Sequence, residues 1–517
     1  MQQKLSEINQ QQFDVAIVGG GINGCSVSQH LAAAGYKVVV LEKNDFATGA
    51  TSRSARILHC GLRHMAPERS IWEFLWKPGS LITKLRNSYD MATGQVELAR
   101  TIPSRLRKVD LLLPIYRGAG YSGWQVDLGA RLIKFFNKDK VPMNYRRWKN
   151  PARSTHPFVQ HLNDKDRLES VIAFDDLQFF WPERIALDAV LNAEEQGAVI
   201  RNFTEVTALS QQTSGDWTLA VRDVLASETT AEIRAKFVLN LAGPWIDEVA
   251  GRVRTSNAAS QRVIGVKGVH LLVRLPPEYQ GAGMVGTNSE SEPFFCLPMG
   301  DLHYIGPTET VYHGNIDNIV ADDEDVDFIL REANHLLPQV KLKREDVILT
   351  WAGARPITYD KDLPKGKRLP YGVMHDFKSD GMRNMLGITW GILVTHRETA
   401  RAIVKEIGKR LVPSRKPSQI ESYERQYPSS TLAPLQSGFP YTVEHVHYAV
   451  QHEHARDLAG LFFGRFGMGW SGRLERAAVD VASRAMASLL NWDEIERQRQ
   501  IGAFENYLSH FHRAQLQ

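Results

Sequence analysis

Apolar residues first gather in a short run from Phe13 to Val18. A glycine cluster follows, then a helix-like stretch from Cys25 to Ala34 closed by Gly35, then a second apolar run from Val38 to Leu41. Short apolar runs bounded by turn residues read as buried strands, and the stretch between them has helical length and a glycine stop. The opening therefore predicts a βαβ unit. Amphipathic segments such as Ile71 to Trp76 and Leu128 to Phe136 predict helices with basic faces between 68 and 150. From Glu194 to Pro244 the pattern alternates with period two, most clearly at Trp217 to Val221 and Phe237 to Leu241. Short strands broken by turns between Val263 and Ile305 predict an antiparallel sheet beside the nucleotide unit. Beyond the run Met385 to Ile388, a helix is predicted over Leu393 to Lys409, and almost everything past Pro417 reads as helix.

At 517 residues the chain exceeds one ordinary core, so two or three domains are expected. Hydrophobic residues make up 43% and charged residues 23%, the balance of a packed globular protein. The net charge of +4 comes from 62 basic and 58 acidic side chains without long basic blocks, which argues against nucleic acid as a partner. Met1 to Gln12 has no apolar core, and no later run has the length to span a bilayer, so the expected location is cytoplasmic. Cys25, Cys60 and Cys296 are too few and too widely spaced for a disulfide framework and read as free thiols.

Gly19, Gly21 and Gly24 form G-x-G-x-x-G directly after the first strand, and Glu42 closes the second. In this context the first glycine permits the turn and the second lets backbone approach a pyrophosphate. The third lets helix and strand pack closely, the helix N-terminus adds positive dipole, and the acid bonds a ribose hydroxyl. The fingerprint is shared by NAD and FAD proteins. The next stretch separates them. Asp45-Phe46-Ala47-Thr48-Gly49-Ala50-Thr51-Ser52-Arg53-Ser54-Ala55-Arg56-Ile57-Leu58-His59-Cys60-Gly61-Leu62-Arg63-His64 resembles the flavin loop of the FAD-dependent glycerol-3-phosphate dehydrogenases. Further blocks match in order: 240–245, 266–270, 305–308, 351–356 and a helix near His452-Glu453.

The resemblance, within the wider D-amino-acid-oxidase-like flavoproteins, implies FAD and an α/β architecture. It comprises a doubly wound, discontinuous FAD domain over 1–410, an inserted antiparallel β-sheet substrate domain (about 68–170 and 245–380) and a C-terminal helical cap over 411–517. It implies cofactor contacts from Thr51, Ser52, Ser54, His59, Gly243 and Gly391, and a small anionic substrate held by Arg63, Arg355 and Arg368. Arginine suits that task because its planar fork matches phosphate or carboxylate. Two positions depart from the family. Trp390-Gly391-Ile392-Leu393-Val394-Thr395-His396-Arg397 stands where Gly-Gly-Lys-Leu-Thr-Thr-Tyr-Arg is usual, so Ile392 replaces a substrate-contacting lysine, and His64 replaces a tyrosine. The expectation is a dehydrogenase oxidising a hydroxylated anion other than glycerol 3-phosphate. Conventional glycerol-3-phosphate oxidation, amine oxidation and a non-catalytic flavin protein remain as alternatives.

For the chemistry, His270 is the candidate base and Arg355 the group stabilising charge at the reacting oxygen. His445, His447, His452 and His454 read as cap-helix residues and not as a metal site, because adjacent helical positions do not converge. The resemblance also implies quinone as electron acceptor, with a soluble acceptor or oxygen as alternatives that the sequence does not separate. The basic amphipathic segment Arg131 to Lys140 suits peripheral contact with the inner face of a membrane. Oligomeric state is not written in the sequence.

Overall fold

The computed structural model describes residues 3–59, 78–118, 122–138, 140–226, 228–254, 260–290, 292–362, 372–420 and 423–517. The strand Gln12–Val18 sits near the middle of an eight-stranded sheet. It pairs in parallel with Val38–Leu41 on one side and with Thr230–Asn240 on the other. Parallel strands are buried on both faces, which is why Phe13 to Val18 is apolar throughout and does not alternate. Val15 and Ile17 pack under the helices Ile22–Ala33, Pro182–Glu195 and His396–Ile407. Phe13, Ala16 and Val18 pack beneath the hairpin Thr204–Gln211 and Trp217–Asp223. Met385–Thr389 extends the parallel set beyond Thr230–Asn240 and Val199–Arg201 extends it beyond Val38–Leu41, while Val373–Asp376 adds an antiparallel edge.

A second, nine-stranded sheet takes its strands from 106–179 and 263–358. Its central antiparallel pair is Val263–Val273 with Val347–Thr358, which sets Gly268 opposite Gly353 and Val266 opposite Arg355. The sheet is not wholly antiparallel as expected. Ala282–Thr287 runs parallel to Leu106–Tyr116, a pairing between distant segments that local periodicity does not encode.

The tail also departs from expectation. Between 423 and 442 it is turns and irregular backbone, and only then come the helices Val443–His452, Arg476–Leu490 and Glu494–His512. Pro428, Pro434, Gly438 and Pro440, with Ser429 and Ser430, explain the difference, since prolines cannot donate to an interior helical turn and clash with the one before. Charged contacts hold the tail to the nucleotide unit. Arg465 pairs with Asp45, and Arg184 with Glu453, all four side chains essentially buried.

Candidate cofactor and substrate site

A cavity of about 270 Å³ opens where the two sheets meet. One end is built from the first βαβ unit. Gly19 takes φ +108°, and a Cβ there would lie 2.6 Å from the Leu241 carbonyl oxygen. A Cβ on Gly24 would lie 1.9 Å from the Gly19 carbonyl oxygen, so this glycine serves the packing of helix against turn and is not part of the cavity lining. At Gly21, the residue before the helix Ile22–Ala33, the nearest atom to an added Cβ is Thr51 Oγ1 at 3.4 Å. Its backbone therefore faces the cavity openly, as approach by a phosphate requires. Thr51 Oγ1 accepts from Ile22 N at 3.0 Å and ties the loop to that helix start.

Glu42 accepts from Gly20 N at 2.6 Å and Asn44 N at 2.8 Å, and burial raises its pKa despite those donors. A carboxylate oxygen has a second lone pair, so hydroxyl donors can still be accepted. Opposite, Gly243 takes φ +57° with nothing within 4 Å of an added Cβ, leaving bare backbone on the wall. Beyond Glu42 the cavity reaches Glu205, Glu248 and Arg252, where Arg252 pairs with both acids. The glycine cradle, the aimed helix start and the buried acid together fit an extended dinucleotide.

At the other end, Ser54, Arg355, Trp390, Gly391, Ile392 and Leu393 line the wall. Leu393–Thr395 runs directly into His396–Ile407, so a second helix start faces the cavity. Arg355 is half-buried and packs across Gly268, where a Cβ would lie 2.3 Å from its Nη2. It makes no ion pair among the described residues, and its only hydrogen bonds are to the Lys267 and Thr308 carbonyl oxygens, both at the 3.5 Å limit. Burial lowers its pKa to about 10. A cation held in this way is available to an anion entering the cavity.

The other expected residues fall elsewhere. Ser52 donates to the Thr48 and Gly49 carbonyl oxygens, holding the loop from within, and lines a neighbouring cavity. His59 takes a left-handed φ of 58° with its ring 5.8 Å from Phe295, outside the lining. His270 is buried, stacked 5.0 Å from Trp351, and neither ring nitrogen has a partner among the described residues. Burial first, then Arg355 and Arg56, push its pKa well below the usual value, so it is neutral near pH 7. It shares a strand face with Gly268, two residues back, but does not line the cavity itself. Arg63, His64 and Arg368 lie outside the described residues. No cluster of His, Cys, Asp or Glu that could hold a metal ion occurs among the described residues; His454 meets Glu194 and His445 the Pro428 carbonyl oxygen.

Several lining residues escaped sequence reasoning. Asn23 donates to the Gly391 carbonyl oxygen at 3.0 Å and joins the two helix starts. Arg53 donates to the Ala352 carbonyl oxygen at 3.1 Å, crossing from the loop to the second sheet. Trp390 sits at φ 54°, and Lys43 lies 4.7 Å over the Trp245 ring. Arg53 was visible within the flavin-loop resemblance and Trp390 within the departing 390–397 stretch; Asn23 and Lys43 carry no local signal.

Residues 14–396 match the family described as FAD dependent oxidoreductase. The chain is 28% identical over 421 residues to glycerol-3-phosphate dehydrogenase from Synechocystis, covering 80% of this chain and 72% of the relative. It is 30% identical over 396 residues to D-erythritol 1-phosphate dehydrogenase from Brucella abortus, covering 75% and 72%. Among solved structures, glycerol-3-phosphate dehydrogenase from Bacillus halodurans complexed with FAD superposes with a TM-score of 0.67. That match covers 98% of this chain and 96% of the other at 20% identity, a likeness of fold.

Proposed function

The chain belongs to the FAD dependent oxidoreductases, and within that family we propose that it oxidises a small hydroxylated anion, a polyol phosphate or hydroxy acid other than glycerol 3-phosphate. FAD supplies the hydride acceptor. The observation that carries the substrate reading is the half-buried guanidinium of Arg355, without an ion pair among the described residues, at the opposite end of the cavity from the glycine turn. A buried cation with only two long hydrogen bonds is costly unless a ligand completes it. Arg355 binds the anion and stabilises charge on the reacting oxygen. Gly21 and the start of Ile22–Ala33 hold the pyrophosphate, and Glu42 the ribose.

His270 is the base that the resemblance implies, and because it is buried beside the cavity and does not line it, the hydroxyl proton would reach it only through an intervening group. A neutral imidazole with unengaged nitrogens has the right protonation state for that role near pH 7. The resemblance assigns substrate contacts to Arg63, His64 and Arg368 as well. Ile392 and Trp390 give the wall beside Gly391 an apolar character and favour a substrate with some carbon surface. Both named dehydrogenase relatives support a phosphorylated polyol, and the one for D-erythritol 1-phosphate supports a carbon chain longer than that of glycerol.

For the acceptor we favour a quinone drawn from a membrane surface. No helix among the described residues is long and apolar enough to cross a membrane. The helix Gly123–Asn137 carries Trp124, Leu128, Arg131 and Phe135 at spacings of four and three, continued by Lys138, all exposed on one face. Ile82 and Tyr89 of Pro78–Thr101 are exposed as well, with the Tyr89 ring 5.6 Å from Phe136. Apolar rings ringed by basic residues suit the interface of an anionic lipid surface. The test of the function is anaerobic reduction of the bound flavin by a panel of polyol phosphates, hydroxy acids and amino acids. The reading holds if a hydroxylated anion other than glycerol 3-phosphate bleaches the flavin fastest. Fastest bleaching by an amine, or by none of the panel, overturns it.

A further inference from the structure

A separate cleft of about 1260 Å³ lies along the helix Gly123–Asn137 and shares no lining residue with the cofactor cavity. The helix supplies Arg131 and Lys134 to its wall, and the strand Leu106–Tyr116 supplies Lys108. The strand Arg146–Trp148 and the residue after it supply Arg146, Arg147 and Lys149. The carboxylates among the described lining residues are Asp110, Asp127 and Asp175. Six cations against three carboxylates leave an excess of three positive charges.

The carboxylates are already engaged. Asp175 meets Lys108 at 2.6 Å and also accepts from the Asn144 amide. Asp127 meets Arg147 at 3.0 Å and accepts from the Tyr145 hydroxyl at 2.6 Å. Asp110 stands 4.0 Å from Arg146, the outer limit of an ion pair. Arg131 and Lys149 are exposed and have no carboxylate partner among the described residues. Charges of one sign converging on a concave wall focus their field, so the cleft attracts counter-ions and its cations repel one another until they are neutralised.

We propose that this cleft binds a soluble polyanion carrying several phosphate groups, which Arg131 and Lys149 contact directly. An excess of three charges is more than a monoanion neutralises, and the volume is more than one phosphate fills. The two side chains divide the task, since arginine offers a planar fork of donors to phosphate and lysine a mobile point charge. A lipid headgroup would present the same phosphate chemistry. The exposed apolar side chains that suit acyl chains, Trp124, Leu128 and Phe135, do not line the cleft, which favours a ligand without a lipid tail. Because the cofactor cavity shares none of these walls, the polyanion binds alongside FAD and substrate, and the site stands whatever the substrate is.

The test is isothermal titration of the FAD-loaded protein with tripolyphosphate in metal-free buffer. The parent should bind it, more weakly as salt rises, and should bind inorganic phosphate at least roughly tenfold less tightly. Arg131→Gln and Lys149→Gln replace exposed side chains outside any ion pair among the described residues, so both should fold. Each should weaken tripolyphosphate binding roughly tenfold, the worth of one charge-assisted hydrogen bond. Asp110→Asn, which removes a repelling carboxylate, should tighten it roughly threefold. Arg355→Met should bind tripolyphosphate as the parent does, which separates this cleft from the substrate end of the cofactor cavity. A parent that takes up no tripolyphosphate overturns the proposal, as does parent-like affinity in both Arg131→Gln and Lys149→Gln, or a loss of affinity confined to Arg355→Met. A parent that sediments with phosphatidylglycerol vesicles yet takes up no tripolyphosphate assigns these cations to a lipid surface and overturns it as well.

Discussion

Arg355→Met tests stability and function in opposite directions. A guanidinium whose pKa burial lowers from its ordinary value to about 10 is disfavoured as the cation by about 3 kcal/mol. Because the residue is only half-buried and its open side faces the cavity, water there screens part of this, and about 1 to 2 kcal/mol is the appropriate share. The folded-state pKa lies below the unfolded one, so the group subtracts stability at every pH below about 10. Methionine keeps much of the stem's packing and removes the charge. Substrate-free Arg355→Met holoenzyme should therefore melt about 1 to 2 °C above the parent. If the anion makes two charge-assisted hydrogen bonds to this side chain, at about 1.5 to 3 kcal/mol each, kcat/KM should fall by about two to four decades. Thermal melts with and without substrate, and stopped-flow flavin reduction, read both. A variant that melts lower than the parent and keeps its efficiency within about threefold would refute the assignment.

Gly21→Val should fold, because an added Cβ meets only Thr51 Oγ1 at 3.4 Å, yet purify without flavin absorbance; Gly24→Ala should instead lower the yield of folded protein, since its Cβ would lie 1.9 Å from backbone. Ile392→Lys combined with His64→Tyr should raise efficiency toward glycerol 3-phosphate by about one to two decades, the worth of one hydrogen bond to a charged group. An unchanged ratio between glycerol 3-phosphate and the preferred substrate would count against a repurposed pocket. Burial lowers the pKa of His396 and of His512 to about 3. Below the unfolded value of 6.5 the unfolded chain gains protons that these buried rings refuse, so stability falls as pH drops through 6.5 toward 3. The loss should be on the order of 1 to 2 kcal/mol per ring by pH 5, and His512→Gln should flatten the Tm profile over that range.

Features set by short-range backbone geometry were legible in the sequence. The turn at Gly19, the open approach at Gly21 and the acid at the end of the second strand all follow from residue spacing, because the βαβ unit is itself local. Features made by distant partners were not. Asp45 and Arg465 are 420 positions apart, and nothing around either names the other. The parallel pairing of Ala282–Thr287 with Leu106–Tyr116 is equally invisible to a window of neighbouring residues. His270 was singled out by motif, and the structure adds what motif cannot supply: a stack on Trp351 and two nitrogens without partners among the described residues. The tail carries the helices expected past Pro417, and it departs from that expectation only between 423 and 442, where the prolines from 428 to 440 outweigh the apolar spacing around them.

Trp390 bears on whether the pocket has merely lost a lysine. A bulky residue at φ 54° occupies backbone that glycine takes without strain, and glycine is what the resembling family places there. The left-handed conformation costs roughly 1 to 2 kcal/mol. It is held by the hydrogen bond from Trp390 N to the Pro356 carbonyl oxygen at 2.9 Å and by packing of the indole against the cluster of Ile264, Val266 and Ile357. Pro356 directly follows Arg355, so the residue that fixes the strained turn adjoins the side chain proposed to bind the anion. Random loss of a binding lysine would leave the neighbouring glycine free to stay glycine. Instead both neighbours of Gly391 are large and apolar and both line the cavity, one of them at a conformational cost. That pairing supports the proposal that the wall meets carbon surface while Arg355 takes the anion.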